Sequence, residues 1–263
     1  MYILPSIKSS TIDIIFRPSR FVQSRINTYS DSLKDKTKIL IKLSLIFALN
    51  LILYSVPLTL SGIATVEAVP NPPAIFTSNF GPVFESPVEV WDFLYQLSVN
   101  AGFLIAASVT ALVSYHAGVV FLRESEGILQ SLHTIIYTSS IYLAGAFTLT
   151  WIASTADQIR FADDIIIHYQ KQFIYFFIDL TDSGLDLPGG RPTPVPTSNI
   201  TIEGQIIIFG LILMGLYFMY SLYLGARINH DMDRSDAIFM LAFVTLSPAI
   251  YIIGSIIYSV NII

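Results

Sequence analysis

Long stretches without charged residues constrain this chain more than any other feature of its sequence. From Phe93 to Leu122 there is no Asp, Glu, Lys or Arg. A helix needs about 20 mainly apolar residues to cross the hydrocarbon core of a bilayer. Five stretches meet that requirement, at residues 39–64, 93–122, 128–154, 206–226 and 237–260. Because these stretches are continuously apolar rather than alternating, they predict helices and not the strands of a membrane barrel.

The composition favours a membrane protein over the soluble classes. Apolar residues make up 53% of the chain and charged residues only 13%, whereas a soluble domain carries about 25% charged residues. Such a low charge content argues against a soluble enzyme, a nucleic-acid-binding protein and a secreted disulfide scaffold. The chain has no cysteine, which excludes disulfides and thiolate metal sites. The predicted fold class is therefore all-α, a polytopic membrane protein with five transmembrane helices.

A sixth apolar stretch, residues 161–180, is interrupted by charges at Asp163, Asp164, Lys171 and Asp179. Its longest uncharged run covers only residues 172–178, which is too short to cross a bilayer. We predict an amphipathic helix that lies in the membrane interface with its aromatic side in the lipid. A re-entrant segment is the alternative.

The positions of the basic residues predict the orientation in the membrane. The chain has 14 Lys and Arg, and all but Arg160, Lys171 and Arg191 lie in the tail 1–38, at the entry to the first span or in the second and fourth connections. Cytoplasmic loops are enriched in Lys and Arg. We therefore expect a cytoplasmic N-terminus, a C-terminus outside the cell membrane, and outer loops at residues 65–92 and 155–205.

The tail and the outer loops have distinct sequence patterns. The basic amphipathic tail is expected to lie on anionic head groups, and no cleavable signal is predicted before the first span. Most of the 13 prolines fall in the two outer loops, which predicts stiff, non-helical connections. Asn199 begins a glycosylation sequon on the outer side. Because such tripeptides also occur by chance, an unmodified Asn199 is the alternative.

No residue pattern indicates catalysis, a cofactor or a metal. The histidines lack the HExxH spacing, and there is no glycine-rich phosphate loop or nucleophile elbow. His116, His133 and His230 lie near span ends on the same predicted side and could face one another across it. The alternative is that they are polar residues at helix ends. Neither a catalytic residue nor a metal ligand is predicted.

The interiors of the predicted spans contain almost no ionisable side chains. They lack Asp and Glu, and Lys42 is their only basic residue besides Arg123 at a boundary. Transporters and proton relays usually carry such groups, so ion-coupled transport is not expected. Small residues recur at every fourth position, a spacing that lets helices approach closely, either within the chain or with other membrane proteins. They are Ser98, Gly102 and Ala106 in the second span, and Ser140 and Ala144 in the third.

Three segments, taken in order, resemble elements of the Yip-domain family of membrane proteins, especially its prokaryotic branch. Residues 14–21, Ile-Ile-Phe-Arg-Pro-Ser-Arg-Phe, are similar to the apolar-Pro-x-x-Phe element before the first span. Residues 127–133 and 137–143 look like its mid-chain element and the helix start that follows. Residues 225–237, Gly-Ala-Arg-Ile-Asn-His-Asp-Met-Asp-Arg-Ser-Asp-Ala, are similar to the loop before the last span. The resemblance covers about Asp13 to Val260.

The resemblance implies a five-span, non-enzymatic protein that organises membranes or partner proteins. The chain lacks the long cytosolic N-terminal domain of the eukaryotic members and its Asp-Leu-Tyr-Gly-Pro signature. This departure argues against binding of a GTPase. The two outer loops are also longer than the family pattern leads us to expect.

The functional hypothesis is a scaffold with a partner surface at its cytoplasmic loops. The alternatives are an accessory subunit of a larger respiratory or secretory membrane complex, and a carrier or channel. No nucleic acid is expected as a partner; lipid and other membrane proteins are. We predict that six residues form the partner surface, because they lie near the cytoplasmic loops and at positions similar to those of the family elements: His116, Arg123, His133, Arg227, His230 and Arg234.

Overall fold

The computed structural model describes residues 33–60, 69–122, 126–155, 160–187, 189–195 and 200–262. Within these ranges the chain is helical with no strand, which confirms the predicted all-α class. The tail before Leu33, Arg123 and Asn199 lie outside the described residues. The described helices are α1 (Leu33–Leu60), α2 (Ala74–Phe80), α3 (Pro87–Phe121), α4 (Ile128–Thr155), α5 (Arg160–Leu180), α6 (Ile202–Asn229), α7 (Arg234–Thr245) and α8 (Ser247–Ile262).

Four stretches of the described chain are long and apolar enough to cross a membrane. They are Leu33–Val56, Pro87–Phe121, Ile202–Asn229 and Arg234–Val260. Each overlaps one of the predicted spans, so the length and composition of these helices support a membrane-embedded protein. Helix α4 occupies the remaining predicted span but is not among the four. The predicted count of five spans is thus not confirmed.

Several predicted boundaries differ from the structure. Helix α1 begins at Leu33, so the end of the predicted tail 1–38 is already helical. Both α2 and the first turns of α3 lie within residues 65–92, where a non-helical loop was wrongly predicted. The reason is that Pro73 and Pro87 stand at the starts of these helices, where a missing N–H costs nothing. Residues 183–187 and 192–195 are non-helical, as predicted.

The last candidate span is divided into two helices. Helix α7 ends at Thr245, and Leu246 separates it from α8. Pro248 has no N–H to donate to the carbonyl of Val244, and its ring crowds that carbonyl. The break therefore follows from a proline in the middle of an apolar helix.

Helix α4 lies at the centre of the bundle, packed against α1, α3, α5 and α6. Its contact with α6 depends on glycines that let the two backbones approach. A Cβ built on Gly225 would overlap the side chain of Thr134, and one built on Gly210 would lie 3.0 Å from Leu149 Cδ1. Since these contacts lie about 22 Å apart along α4, the two helices are antiparallel neighbours over most of their length.

The buried apolar side chains gather at two opposite ends of the bundle. We call the first the histidine end: the C-terminal turns of α3 and α6 and the N-terminal turns of α4 and α7. Its core includes Tyr115, Leu222, Met232 and Met240. We call the second the loop end: α5, residues 181–195 and the C-terminal half of α8, where Tyr175 and Ile178 pack against Ile256.

Candidate functional site

A chain of hydrogen bonds joins three helices at the histidine end. Ser131 Oγ, at the start of α4, lies 3.0 Å from His116 Nδ1 of α3. The same oxygen lies 3.1 Å from Nε2 of His230, the residue that follows α6. The backbone N–H of Glu126 completes the chain by donating to His230 Nδ1 at 3.3 Å. Because α3, α4 and α6 each contribute one side chain, the chain ties their ends together.

The bonding partners fix the direction of each hydrogen bond in this chain. Since His230 Nδ1 accepts from a backbone N–H, the neutral ring carries its proton on Nε2 and donates it to Ser131 Oγ. The Ser131 hydroxyl can then donate its own proton to His116 Nδ1. His116 is left with its proton on Nε2. With this arrangement, the donors and acceptors that join His230, Ser131 and His116 are satisfied when the His230 imidazole is neutral.

His230 is held in its neutral form by its surroundings. Its side chain is 1% exposed, and it packs against the Tyr115 ring at a centroid distance of 5.9 Å. Burial and the neighbouring His116 lower the pKa of His230 from 6.5 to about 4. Protonation would also place a proton on Nδ1, where it would meet the N–H of Glu126. Acid should therefore break the hydrogen-bond chain at His230.

The turn between α6 and α7 is fixed by polar contacts of its own. Arg227 Nη1 donates to the carbonyl of Met232 at 2.6 Å, which folds the turn back on α6. Asp231 has a φ of 51°, a left-handed conformation that Asp tolerates better than most residues. Asp233 caps α7 by accepting from the N–H of Asp236 at 2.8 Å. That bond lowers the pKa of the Asp233 carboxyl.

The structure brings together only some of the nominated surface residues. His116 and His230 share a hydrogen-bond chain, and Arg227 lies in the adjacent turn. His133 lies elsewhere: it is buried, and its ring packs against the Tyr137 ring at 4.4 Å. His133 is two positions after Ser131, which turns the two side chains about 200° apart on α4. Arg234 is exposed at the start of α7 and, of the five nominated residues that the structure describes, is the most open to a partner.

Polar side chains inside the bundle are bonded to one another across helices. Asn100 Nδ2 donates to Thr59 Oγ1 at 2.9 Å between α3 and α1, and both residues are buried. Asn50 Nδ2 of α1 donates to Ser140 Oγ of α4. Asn229 Nδ2 donates to Thr134 Oγ1 at 2.7 Å, close to the histidine end. These amides hold helices together, which is the role that interhelical amides have in most membrane proteins.

The small-residue stripes are used differently in the two helices that carry them. Ser140 makes two hydrogen bonds to α1: its hydroxyl accepts from Asn50 Nδ2, and its carbonyl accepts from the Tyr54 hydroxyl at 2.6 Å. Ser98 and Gly102 are exposed on α3, and a Cβ at Gly102 would meet no atom within 4 Å. The packing role is thus observed for Ser140 but not for the α3 stripe.

The loop end is held together at its surface. Arg191 makes a two-pronged ion pair with Asp179, with N–O distances of 2.9 and 2.5 Å, and its guanidinium lies 4.6 Å from the centroid of the Tyr175 ring. The Tyr175 hydroxyl donates to Asp186. These bonds fold residues 183–187 and 189–191 back over α5. The hydrogen bonds from Arg191 lower the pKa of the Asp179 carboxyl.

Sequence reasoning missed the residue that joins the two imidazoles. Ser131 is fully buried, and one serine in an apolar stretch carries no signal of its contacts. No group of three or more His, Cys, Asp or Glu that could hold a metal occurs among the described residues. The arrangement can hold a proton chain between helices, but the buried hydroxyl is closed to a substrate. Comparison of the chain with protein-family models, curated proteins and solved structures finds no match.

Proposed function

We propose that this chain is a five-span, non-enzymatic membrane protein of Yip type that organises partner membrane proteins through the exposed residues of the histidine end. The observation that carries the proposal is the use of polar side chains in the bundle. Asn50, Asn100 and Asn229 are bonded to other helices rather than arranged around a path or a reacting centre. A bundle built in this way is suited to presenting its ends to other proteins.

The fifth span in this proposal is α4. Its contacts with α1 and α6, both candidate spans, recur from Thr134 to Leu149, so it should cross the same thickness of bilayer. Its polar residues need not face lipid. Ser131, His133, Thr134 and Thr138 are all buried against neighbouring helices.

Helix α5 is the interfacial helix of the proposal. One face, with Tyr175 and Ile178, is buried against α8. The opposite stripe exposes apolar and aromatic side chains at helical spacing, as a helix in the membrane interface would. These exposed residues are Tyr169, Phe173, Phe176 and Leu180.

Orientation can be tested directly because the chain has no cysteine. Single cysteines at Ser78 on α2 and Ser235 on α7 would both be exposed. If the histidine end is cytoplasmic, an impermeant maleimide added to intact cells should label Ser78→Cys and leave Ser235→Cys unlabelled. Labelling of Ser235→Cys alone would reverse the orientation.

Partner docking is tested by comparing two exposed arginines at opposite ends. Arg234→Ala should reduce the recovery of cross-linked partners after purification in mild detergent, because Arg234 is an exposed basic residue at the histidine end. Arg191→Ala removes the same side chain from the loop end and should leave recovery unchanged. Equal recovery from both variants and the unsubstituted protein would contradict the proposed surface.

A second candidate function, an accessory subunit of a larger membrane complex, is favoured by the α3 stripe. Ser98 and Gly102 leave a flat, unoccupied strip on which a partner helix could pack. Sizing in mild detergent separates the two candidates. A particle of one or two chains would count against a subunit role.

A further inference from the structure

A cavity of about 150 Å³ opens in the half of the bundle nearer the histidine end. Its walls are α1 from Ser44 to Tyr54, α3 from Leu104 to Leu112 and α4 from Leu132 to Leu143. Ten residue steps along α1 correspond to about 15 Å. That length is about half of the roughly 30 Å hydrocarbon core, or the depth of one leaflet.

The wall of this cavity presents mostly carbon. Leu51, Leu112, Ile135 and Ile136 are among the lining residues. Two of the polar residues that border it have partners elsewhere: Asn50 donates to Ser140 Oγ, and the Tyr54 hydroxyl donates to the Ser140 carbonyl. The remaining polar residues, Ser44, Ser108 and Ser139, add little polar surface to the wall. Cavities lined by apolar groups of this size stay dry and accept apolar molecules. A polar solute would lose its hydration and find few polar groups in this wall in return.

The cavity is open towards the surface that faces lipid. Val109 lines it and is 51% exposed, and Ser44 at its other edge is also exposed. On either side of Val109, α3 exposes Ile105 and Val113. The opening is therefore continuous with an apolar, outward-facing strip of α3. A hydrocarbon chain running parallel to the helices could enter sideways from the bilayer.

We propose that this cavity is a binding site for one acyl chain of a bilayer phospholipid, held between α1, α3 and α4 in the leaflet at the histidine end. The length, the carbon lining and the lateral opening fit such a chain, while the volume of about 150 Å³ accommodates a segment of it rather than its whole length. An acyl chain in the cavity would contact three helices at once, and these packed contacts would replace looser contacts with neighbouring lipid chains. The proposal rests on membrane embedding but on no partner protein.

The test uses a phosphatidylcholine with a photoreactive diazirine in its acyl chain. The protein is reconstituted into phosphatidylcholine vesicles that contain this lipid, irradiated, and its labelled residues are mapped by mass spectrometry. Adducts are expected on the cavity residues Ser108 and Ser139 as well as on the outward residue Val113. Labelling at Val113 reports embedding by itself, so failure of the cavity proposal is distinguishable from failure of the membrane proposal.

A filled cavity should lose its adducts. Ser139→Phe places a ring in the cavity and should lower labelling at Ser108 severalfold, because the ring takes the space that the acyl chain would occupy. Ala144→Phe, on the exposed side of the same helix, is the matched control and should leave the adducts unchanged. If Ser139→Phe fails to fold by size exclusion and circular dichroism, Ser108→Phe fills the same space from α3, with labelling read at Ser139.

Two results would overturn the proposal. One is labelling confined to Val113 and other outward residues in the unsubstituted protein. The other is labelling of the cavity that persists in the filled variant. If a free fatty acid carrying the diazirine labels the cavity and the phospholipid does not, a bilayer phospholipid is the wrong occupant.

Discussion

The two ends of the bundle are stabilised by opposite uses of polar side chains. At the histidine end, His230 is 1% exposed and its hydrogen bonds run through the interior to Ser131. At the loop end, Arg191 and Asp179 form an ion pair at the surface, where their side chains are 62% and 52% exposed. Water replaces a lost surface ion pair easily, whereas a buried imidazole has no substitute partner. The two ends should therefore respond very differently to the same chemical change.

Lowering the pH should give the largest difference in stability between the histidine end and the loop end. His230 has a pKa lowered from 6.5 to about 4, so the unfolded chain binds more protons between these values, and stability falls as the pH drops through them. The full stabilisation is present above about pH 6.5, and its loss should reach about 3 kcal/mol near pH 4. Thermal unfolding in detergent, recorded between pH 6.5 and pH 4, measures this loss of stability.

The matched control for the acid effect is His230→Gln, whose amide can still accept from Glu126 and donate to Ser131 without titrating. Its unfolding temperature should change much less between pH 6.5 and 4. Asp233 also has a lowered pKa, and its stabilising bond to Asp236 is lost only as the pH falls below the usual range of a carboxyl. An unchanged slope in His230→Gln would assign the acid sensitivity to another group.

Crowding the α4–α6 contact should produce the next largest effect. Gly225→Ala places a methyl group against Thr134, and overpacking of this kind costs about 2 kcal/mol. Gly215→Ala on the same helix is the control, because a Cβ there meets nothing within 4 Å. The control should raise stability slightly by favouring the helix. Denaturation of the two variants side by side gives the difference, and similar values would mean that α4 and α6 are not in close contact.

Removing the Ser131 hydroxyl, which both histidines share, should lower stability less than Gly225→Ala does. Ser131→Ala leaves the buried His230 Nε2–H without a partner, at a cost of about 1 to 2 kcal/mol. Ser98→Ala, an exposed serine on α3, should leave both stability and pH dependence as they were. Equal effects at the two serines would argue against the hydrogen-bond chain.

The loop end should show the smallest effect on the bundle. Arg191→Ala removes the ion pair with Asp179 and the contact with Tyr175, but the unfolding temperature should barely move, because exposed pairs contribute little. The expected change is local: faster proteolysis and amide exchange in residues 183–195. Arg191→Lys keeps the charge but not the two-pronged geometry and should be intermediate. A large fall in unfolding temperature would show that the two ends are coupled.

Much of the helical framework could be predicted from hydropathy, but its contacts could not. Helix α4 was predicted at residues 128–154 and observed at Ile128–Thr155, because length and apolar content depend only on local sequence. The α2 helix was missed because proline-rich sequence was taken as non-helical, although proline suits a helix start. The partnership of Ser131 with two histidines depends on three helices that are distant in sequence. No spacing rule reports such a contact.

The division at Leu246 assigns the two halves of the last apolar segment to different cores. Helix α7 places Ala237, Met240 and Val244 in the core of the histidine end, while α8 places Ile256 in the core of the loop end. The hydrogen bonds from Leu246 N to Ala242 O and from Ile250 N to Leu246 O carry the chain from one helix into the next. One apolar segment therefore connects the two cores, and each of its halves is anchored by the packing of a different core.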